Sequence, residues 1–309
     1  MRLSIVSTLY GSADFIVPFH ERVSAAARKL VGEDFEIILV NDGSPDNSVD
    51  IAVALTRQDR HVTVIDLSRN FGHHKAMMTG LAHAQGDRVF LLDVDLEEDP
   101  EWLTPFAQHM DEEQADVVFG VQSGRKGSLL EKWSGSVFYY LFNRMASIEL
   151  ARDLVTARLM TRRYVQALIS HQEREVFIAG LWYITGFKQV SHQVAKIDTG
   201  RTTYTFRRKL SILVNSVTSF SDKPLVWIFY LGCLISLFSL LAIFTLAVRW
   251  AFFDRPLAGW TSVIASIWLV GGMVISFVGI IGLYLSKIFS ETKHRPYTII
   301  RQIHKNEKE

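Results

Sequence analysis

Two stretches in the last third of the chain leave few options for its fold. Residues 225–248, LVWIFYLGCLISLFSLLAIFTLAV, carry no charge, and neither do residues 256–286. Each exceeds the roughly 20 apolar residues that cross a bilayer as a helix. A helix of that length in a globular core normally keeps a polar face, and these keep none. Trp227, Tyr230, Trp250, Trp260 and Tyr284 stand near the ends of two spans read as 225–248 and 261–286, where interfacial aromatics belong. The pair accounts for a mean hydropathy of +0.16.

Charge orients this hairpin. Residues 196–223 carry six Lys/Arg against two acids, and residues 287–309 carry six against three. The connecting loop has only Arg249, Asp254 and Arg255. The excess of cations on flanking segments predicts a multi-pass protein of the inner, cytoplasmic membrane, with both termini cytoplasmic. Residues 1–195 sum to −7 and the whole chain to +1, which gives no reason to expect nucleic acid as a partner. In TFRRKLSILVNSVTSF, Leu210, Leu213, Val214 and Val217 recur at helical spacing behind Arg207, Arg208 and Lys209. This predicts an amphipathic helix over 205–223 lying in the bilayer interface. The chain thus divides into a cytoplasmic domain (1–204), the interfacial helix, a hairpin (224–288) and a basic tail (289–309). Gly271, Gly272, Gly279 and Gly282 favour close helix packing without a Gly-x-x-x-Gly, so a homo-oligomer through the hairpin is left open. A single cysteine, Cys233, excludes a disulfide framework within the chain. MRLSIVSTLYGSADF has neither the long apolar core nor the cleavage site of a secretory leader.

The first half alternates short apolar runs with helical patterns. Strands are expected at 2–8, 35–42, 62–68, 87–95 and 115–120, with helices at 13–30, 49–59, 73–84 and from Pro100 onward. Such alternation predicts an α/β fold, a mostly parallel sheet with helices on both faces. Ligands of these sheets bind beyond the carboxyl ends of the strands, where Asp42, Asp93 and Asp95 fall. In LLDVDLEEDPE, Asp93 and Asp95 are two apart at the end of a buried strand and share a face if the chain stays extended. Two carboxylates there make a hard oxygen site suited to Mg²⁺ or Mn²⁺, with substrate phosphates as further ligands. Asp99 and Glu101 flank Pro100 and read as helix-start acids. His73 and His74 are adjacent on a helix, point different ways, and read as helix-start residues rather than a metal pair. Met77, Met78 and VFYYLFN (137–143) read as packing, and Arg125 and Lys126 as a loop that could serve as a lid.

The blocks VNDGSPDNS, SRNFGHHKAMMTGLAHAQGD, LLDVDLEEDPE, GRTTYTFRRKL and SFSDKPL stand in this order ahead of the spans. Together they resemble the family 2 glycosyltransferases of the GT-A fold. Within these, the chain is similar to the polyprenyl-phosphate glycosyltransferases, the branch that contains dolichyl-phosphate-mannose synthase. The resemblance implies a nucleotide-diphospho-sugar transferase. It places Asp42 at the nucleotide base or ribose, Arg69 and Asn70 in a loop near the nucleotide, and Asp93 and Asp95 on the donor's metal. Gly200 to Tyr204, with Arg201, match a loop closing at the active site, and Arg158 matches an arginine of the acceptor side. Where relatives often read Pro-x-Tyr-Asn-Glu, this chain reads Ser7-Thr8-Leu9-Tyr10-Gly11. Thr8 and Tyr10 then become the nucleotide-sugar contacts, with Tyr10 stacking. Relatives often have Leu-Gln-Asp after the metal pair and arginine before the glycine loop; here stand Leu96-Glu97-Glu98 and Lys196.

The expected reaction is an inverting transfer of one sugar, from a UDP-sugar by default, to polyprenyl (undecaprenyl) phosphate for cell-envelope glycan or lipid modification. A phosphate monoester, with a second pKa of about 6, is already an anion and needs cations more than a base. Arg201, Arg158 and Arg207 are the candidates. A sugar hydroxyl on a lipid-linked glycan would instead need a carboxylate base, with Glu97, Glu98 or Glu175 the candidates. A non-catalytic membrane scaffold that keeps the fold is the third reading. Gln-x-x-Arg-Trp of processive synthases is absent from the sequence.

Overall fold

The computed structural model describes residues 1–122, 154–173, 176–196, 223–252 and 259–306. They fall into two compact units, one holding residues up to 196 together with 295–306, the other residues 223–294. The interfacial helix expected at 205–223, the lid residues Arg125 and Lys126, and VFYYLFN lie outside the described residues.

The first unit is built on one sheet of eight strands. In chain order the strands are β1 (Leu3–Leu9), β2 (Phe35–Asn41), β3 (Val62–Leu67), β4 (Arg88–Leu91), β5 (Val117–Gln122), β6 (Leu154–Thr161), β7 (Gln189–Val194) and β8 (Ile300–His304). Their spatial order is β7-β5-β6-β4-β1-β2-β3-β8. The helices are α1 (Ile16–Val31), α2 (Ser48–Gln58), α3 (His73–His83), α4 (Leu103–Glu113), α5 (Arg162–Ile169) and α6 (Ile178–Ile184). A period of two sends alternate side chains to opposite faces. Accordingly Leu3, Ile5, Ile37 and Leu39 pack with Phe19, Phe106 and Met110 on one face. Val6, Ile38 and Val40 pack with Met77, Met78 and Leu81 of α3 on the other. Both methionines are core, as expected.

The sheet is mixed but mostly parallel, as expected, with β5 and its parallel neighbour β7 running in the same direction as β1 to β4. β1 to β4 are mutually parallel, but β6 enters antiparallel between β4 and β5, and β8 closes the other edge antiparallel to β3. The arginines around LVTARLMT hide β6 from a reading that looks for unbroken apolar runs. β8 was equally hidden in what read as a basic tail.

The second unit contains α7 (Lys223–Phe252) and α8 (Trp260–Thr292). Within α8, Leu269–Thr292 is long and apolar enough to cross a membrane, with a mean hydropathy of 2.1. Its apolar side chains, Ile275, Val278 and Phe289 among them, are exposed, as suits lipid rather than a protein core. Among the described residues it is the one span that meets this measure; the stretch Lys223–Ile235 of α7 is apolar but shorter.

Candidate active site at the strand ends

The parallel strands β4, β1, β2 and β3 end side by side, and their C-terminal turns carry the residues singled out in the sequence. Asp42 follows β2 and is buried. Its Oδ1 accepts from the backbone N–H of Phe71 at 2.7 Å and its Oδ2 from that of Gly72 at 3.0 Å. Burial raises its pKa, outweighing those two bonds and the nearby charges of His73 and Arg69. Asp42 therefore fastens the loop 69–72 across the strand ends. Within that loop the Arg69 guanidinium stacks on the Phe71 ring at 4.1 Å and donates to the Asn70 carbonyl. Tyr10, just past β1, is 57% exposed, the state required of a residue that is to stack on a nucleotide base.

Gly43 is the reason these two turns can touch. Its φ is +63°, and a Cβ there would lie 2.5 Å from the Asn70 backbone nitrogen. Gly43→Ala is expected to cost about 1–2 kcal/mol for the left-handed backbone alone. It must also push Asn70 aside. Thermal unfolding and nucleotide titration of the variant should show lower stability together with weaker binding.

His73 is the site residue that sequence reasoning missed. Its Nδ1 lies 2.9 Å from Thr8 Oγ1 and its Nε2 lies 3.3 Å from Asp93 Oδ1. Burial opposes protonation, but Asp93, Asp42 and Asp95 outweigh it and raise the His73 pKa. His74 behaves oppositely: burial lowers its pKa, and its Nδ1 bonds the Val176 carbonyl at 3.1 Å. Their adjacency, taken as grounds for setting both aside, is what separates them. One ring turns to the acids and the other to the backbone.

Asp93 and Asp95 occupy a turn after β4 pinned from several sides. Asp93 Oδ2 accepts from Thr156 Oγ1 at 2.9 Å, whereas Oδ1 is buried without a hydrogen bond. Burial would raise the Asp93 pKa, but His73, Thr156 and Lys196 hold it down. Burial raises that of Asp95, reinforced by the charges of Asp93 and Glu97. Asp95 Oδ1 accepts from the Glu97 N–H at 3.1 Å. Between them Leu96 adopts φ +59°, a strained conformation of the kind that concentrates at functional sites. Asp99 caps the short helix that follows, accepting from Glu101 N–H at 2.9 Å, as the sequence suggested.

The base candidates fall in different places. Glu98 is fully buried; Oε1 accepts from Thr156 N–H at 2.7 Å and Oε2 from Asp93 N–H at 3.3 Å. Burial, with Asp93 adding, pushes its pKa up to about 8. It holds the turn against β6, sealed from solvent with both oxygens engaged by backbone N–H groups. Glu97 pairs with Lys196 at 2.8 Å. Burial opposes the Lys196 charge, but Glu97, Glu98 and Asp93 raise its pKa further. Arg158, expected on the acceptor side, lies on β6 opposite Leu91, buried to 2% exposure, its guanidinium over the Trp182 ring. Burial lowers its pKa to about 9, and its Nη2 has no hydrogen-bond partner. Arg201, Arg207 and Glu175 lie outside the described residues.

A profile of Glycosyl transferase family 2 matches residues 4–169, the span from β1 to the end of α5. The chain belongs to this family. A relative from Mycobacterium tuberculosis (strain CDC 1551 / Oshkosh), named "Putative glycosyltransferases", is 53% identical over 304 residues, covering 98% of this chain and 89% of its own. A "Bactoprenol glucosyl transferase" of Shigella phage SfV is 31% identical over 313 residues, covering 100% of both. The fold is similar to that of a mannosyltransferase from Pyrobaculum calidifontis solved with GDP-Man and Mn²⁺, with a TM-score of 0.50 over 94% of this chain and 84% of that one at 14% identity. The protein is thus a GT-A-type glycosyltransferase, of a family that moves sugars from nucleotide-sugar donors, with an apolar helix able to enter a membrane. Among the described residues no group of three or more His, Cys, Asp or Glu is arranged for a metal.

Proposed function

We propose that this glycosyltransferase moves one sugar from a nucleotide-diphosphate sugar, UDP-linked by default, to polyprenyl phosphate at the cytoplasmic membrane face. The acceptor class rests on the commitment of Glu97 and Glu98, the base candidates among the described residues. Glu98 is buried and bonded at both oxygens, and Glu97 is ion-paired with Lys196. A hydroxyl acceptor needs a base within hydrogen-bond reach, whereas a phosphate monoester arrives already anionic. The full-length likeness to a bactoprenol glucosyl transferase points the same way.

In the reaction an oxygen of the lipid phosphate bonds the anomeric carbon as the bond to the nucleoside diphosphate breaks, with inversion at that carbon. Tyr10 stacks on the base, and the loop 69–72 held by Asp42 lies against the nucleotide. Arg201 and Arg207 bring the acceptor phosphate beside an anionic donor. Asp93 and Asp95 fit a hard divalent cation: both donors are oxygens, and the buried Asp93 Oδ1 is faced by His73 Nε2 at 3.3 Å without a well-formed hydrogen bond. When bound, Mg²⁺ or Mn²⁺ supplies neutralisation of the departing diphosphate.

The enzyme crosses the membrane twice, through α7 and α8. The support is connectivity: β8 follows α8 and pairs with β3, so the described chain up to residue 196 and that from residue 295 belong to the same sheet unit. Two crossings would return the chain to the face it left, as a sheet shared by both flanks favours.

The test incubates detergent-purified protein with Mg²⁺ or Mn²⁺, undecaprenyl phosphate and a panel of labelled nucleotide sugars, counting label in the organic phase. Metal-dependent transfer from one donor, lost in Asp95→Ala and with EDTA, and release of the label by mild acid are expected. A folded protein that binds nucleotide and metal yet transfers from no donor would turn the reading to a hydroxyl acceptor.

A further inference from the structure

β8 does more than close the sheet edge. Its pairing with β3 runs His304 to Val64, Ile303 to Ile65 and Gln302 to Asp66, then jumps to Ile300 opposite Leu67. Arg301 is the residue left over, the extra residue of a β-bulge. Bulges next to active sites commonly re-aim a side chain. Here the displaced guanidinium reaches Asp66 Oδ2 at 3.2 Å and the Ser68 carbonyl at 2.8 Å. Asp66 is buried, and its Oδ1 accepts from Asn41 Nδ2 at 2.8 Å. Asn41 is buried as well, and its Oδ1 accepts from the Ser44 N–H at 3.2 Å. Arg301 thereby touches both halves of the donor cradle. One arm runs through Asp66 and Asn41 into the turn 41–44. The other holds Ser68, the first residue of the loop that continues to Arg69 and Asn70.

The neighbouring segment is docked independently of that arginine. The Ser68 N–H donates to the Ile299 carbonyl at 2.9 Å, and Thr298 Oγ1 lies 2.8 Å from Thr79 Oγ1 on α3. Tyr297 packs against the α3 side of the core. Losing the Arg301 head therefore leaves β8 seated and removes only its grip on the two turns.

We infer that Arg301, on the far side of the apolar hairpin in sequence, is a positioning residue for the nucleotide-sugar site, holding the turn 41–44 and the loop 68–72 in register. This rests on the reading that those turns receive the nucleotide. In it, a segment that the family profile does not reach completes the donor site.

The full-length protein in detergent tests this with Arg301→Gln and Arg301→Lys. UDP and GDP affinities are read by titration calorimetry, donor KM and kcat by label transfer, and loop order by hydrogen exchange at residues 68–72. Arg301→Gln is expected to weaken nucleotide binding and raise donor KM about fivefold to tenfold, on the scale of one hydrogen bond to a charged group. kcat should stay within about twofold, because the lost contact acts on binding and not on the transition state. Exchange at 68–72 should quicken while the core stays protected. Arg301→Lys, which can keep the Asp66 pair but lacks the fork that reaches Ser68 as well, should recover part of the affinity. Unchanged affinity and loop exchange in a folded Arg301→Gln protein would overturn the inference. A wild-type protein that binds neither nucleotide would instead overturn the reading beneath it.

Discussion

Asp93→Asn is expected to lower the rate of sugar transfer by about 10²–10³-fold, the usual consequence of losing one electrostatic partner of a departing anion. The change is nearly isosteric, so the turn should hold: an amide oxygen can still accept from Thr156 Oγ1 as Asp93 Oδ2 does at 2.9 Å. What disappears is the charge opposite His73 Nε2, 3.3 Å from Asp93 Oδ1. The amide nitrogen would then face Nε2, and the largest of the influences that raise the His73 pKa is removed, leaving those of Asp42 and Asp95. Two measurements read this together. Single-turnover transfer should collapse, and the His73 titration followed by NMR should move down in pH. Transfer within about tenfold of wild type would remove Asp93 from the reacting centre, whatever the histidine does.

The second large effect concerns Glu98 and stability. Its folded-state pKa of about 8 lies above its ordinary value of 4.5, because burial and the Asp93 charge disfavour ionisation. A raised carboxyl pKa means the folded state holds a proton that the unfolded state has released. Its contribution is fully present below the ordinary value and is lost as pH rises through about 8. Wild-type stability should therefore decline between these limits by about 1 kcal/mol per pH unit from this group. Glu98→Gln abolishes that slope while leaving one oxygen to accept from Thr156. It also sets an amide N–H against that of Asp93, so the variant is weaker overall on the acid side. Urea melts of both proteins at pH 5.5, 7 and 8.5 measure the difference in slope. Parallel curves would show that Glu98 ionises in the fold like an ordinary carboxylate.

Several features were legible in the sequence because they depend on local chemistry. Short apolar runs gave β1 to β5 to within a few residues, and helical patterns gave α1 to α4. The order VNDGS, RNFG, DVD placed three acids at strand ends, and the structure sets those ends side by side at the C-terminal end of the parallel strands. Other features depend on partners far away in sequence and could not be read. Whether Glu98 is a base or a buried clamp turns on Thr156, which is 58 residues away. His73 becomes part of the site only because the fold lays it between Thr8, 65 residues off, and Asp93. Arg301 looked like one more cation of a basic tail until a bulge aimed it at Asp66, 235 residues earlier.

The sequence by itself determined the class of the molecule: an α/β domain with acids at its strand ends, an apolar segment for lipid, and membership of a sugar-transferring family. Hydropathy, period and short motifs record those properties residue by residue. Only the tertiary structure decided which carboxylate is sealed, which histidine is pushed toward its charged form and which away from it, and that β8 returns to brace the turns after β2 and β3. Each of these is set by burial and by the distance to one opposing charge, quantities that do not exist until the sheet is assembled.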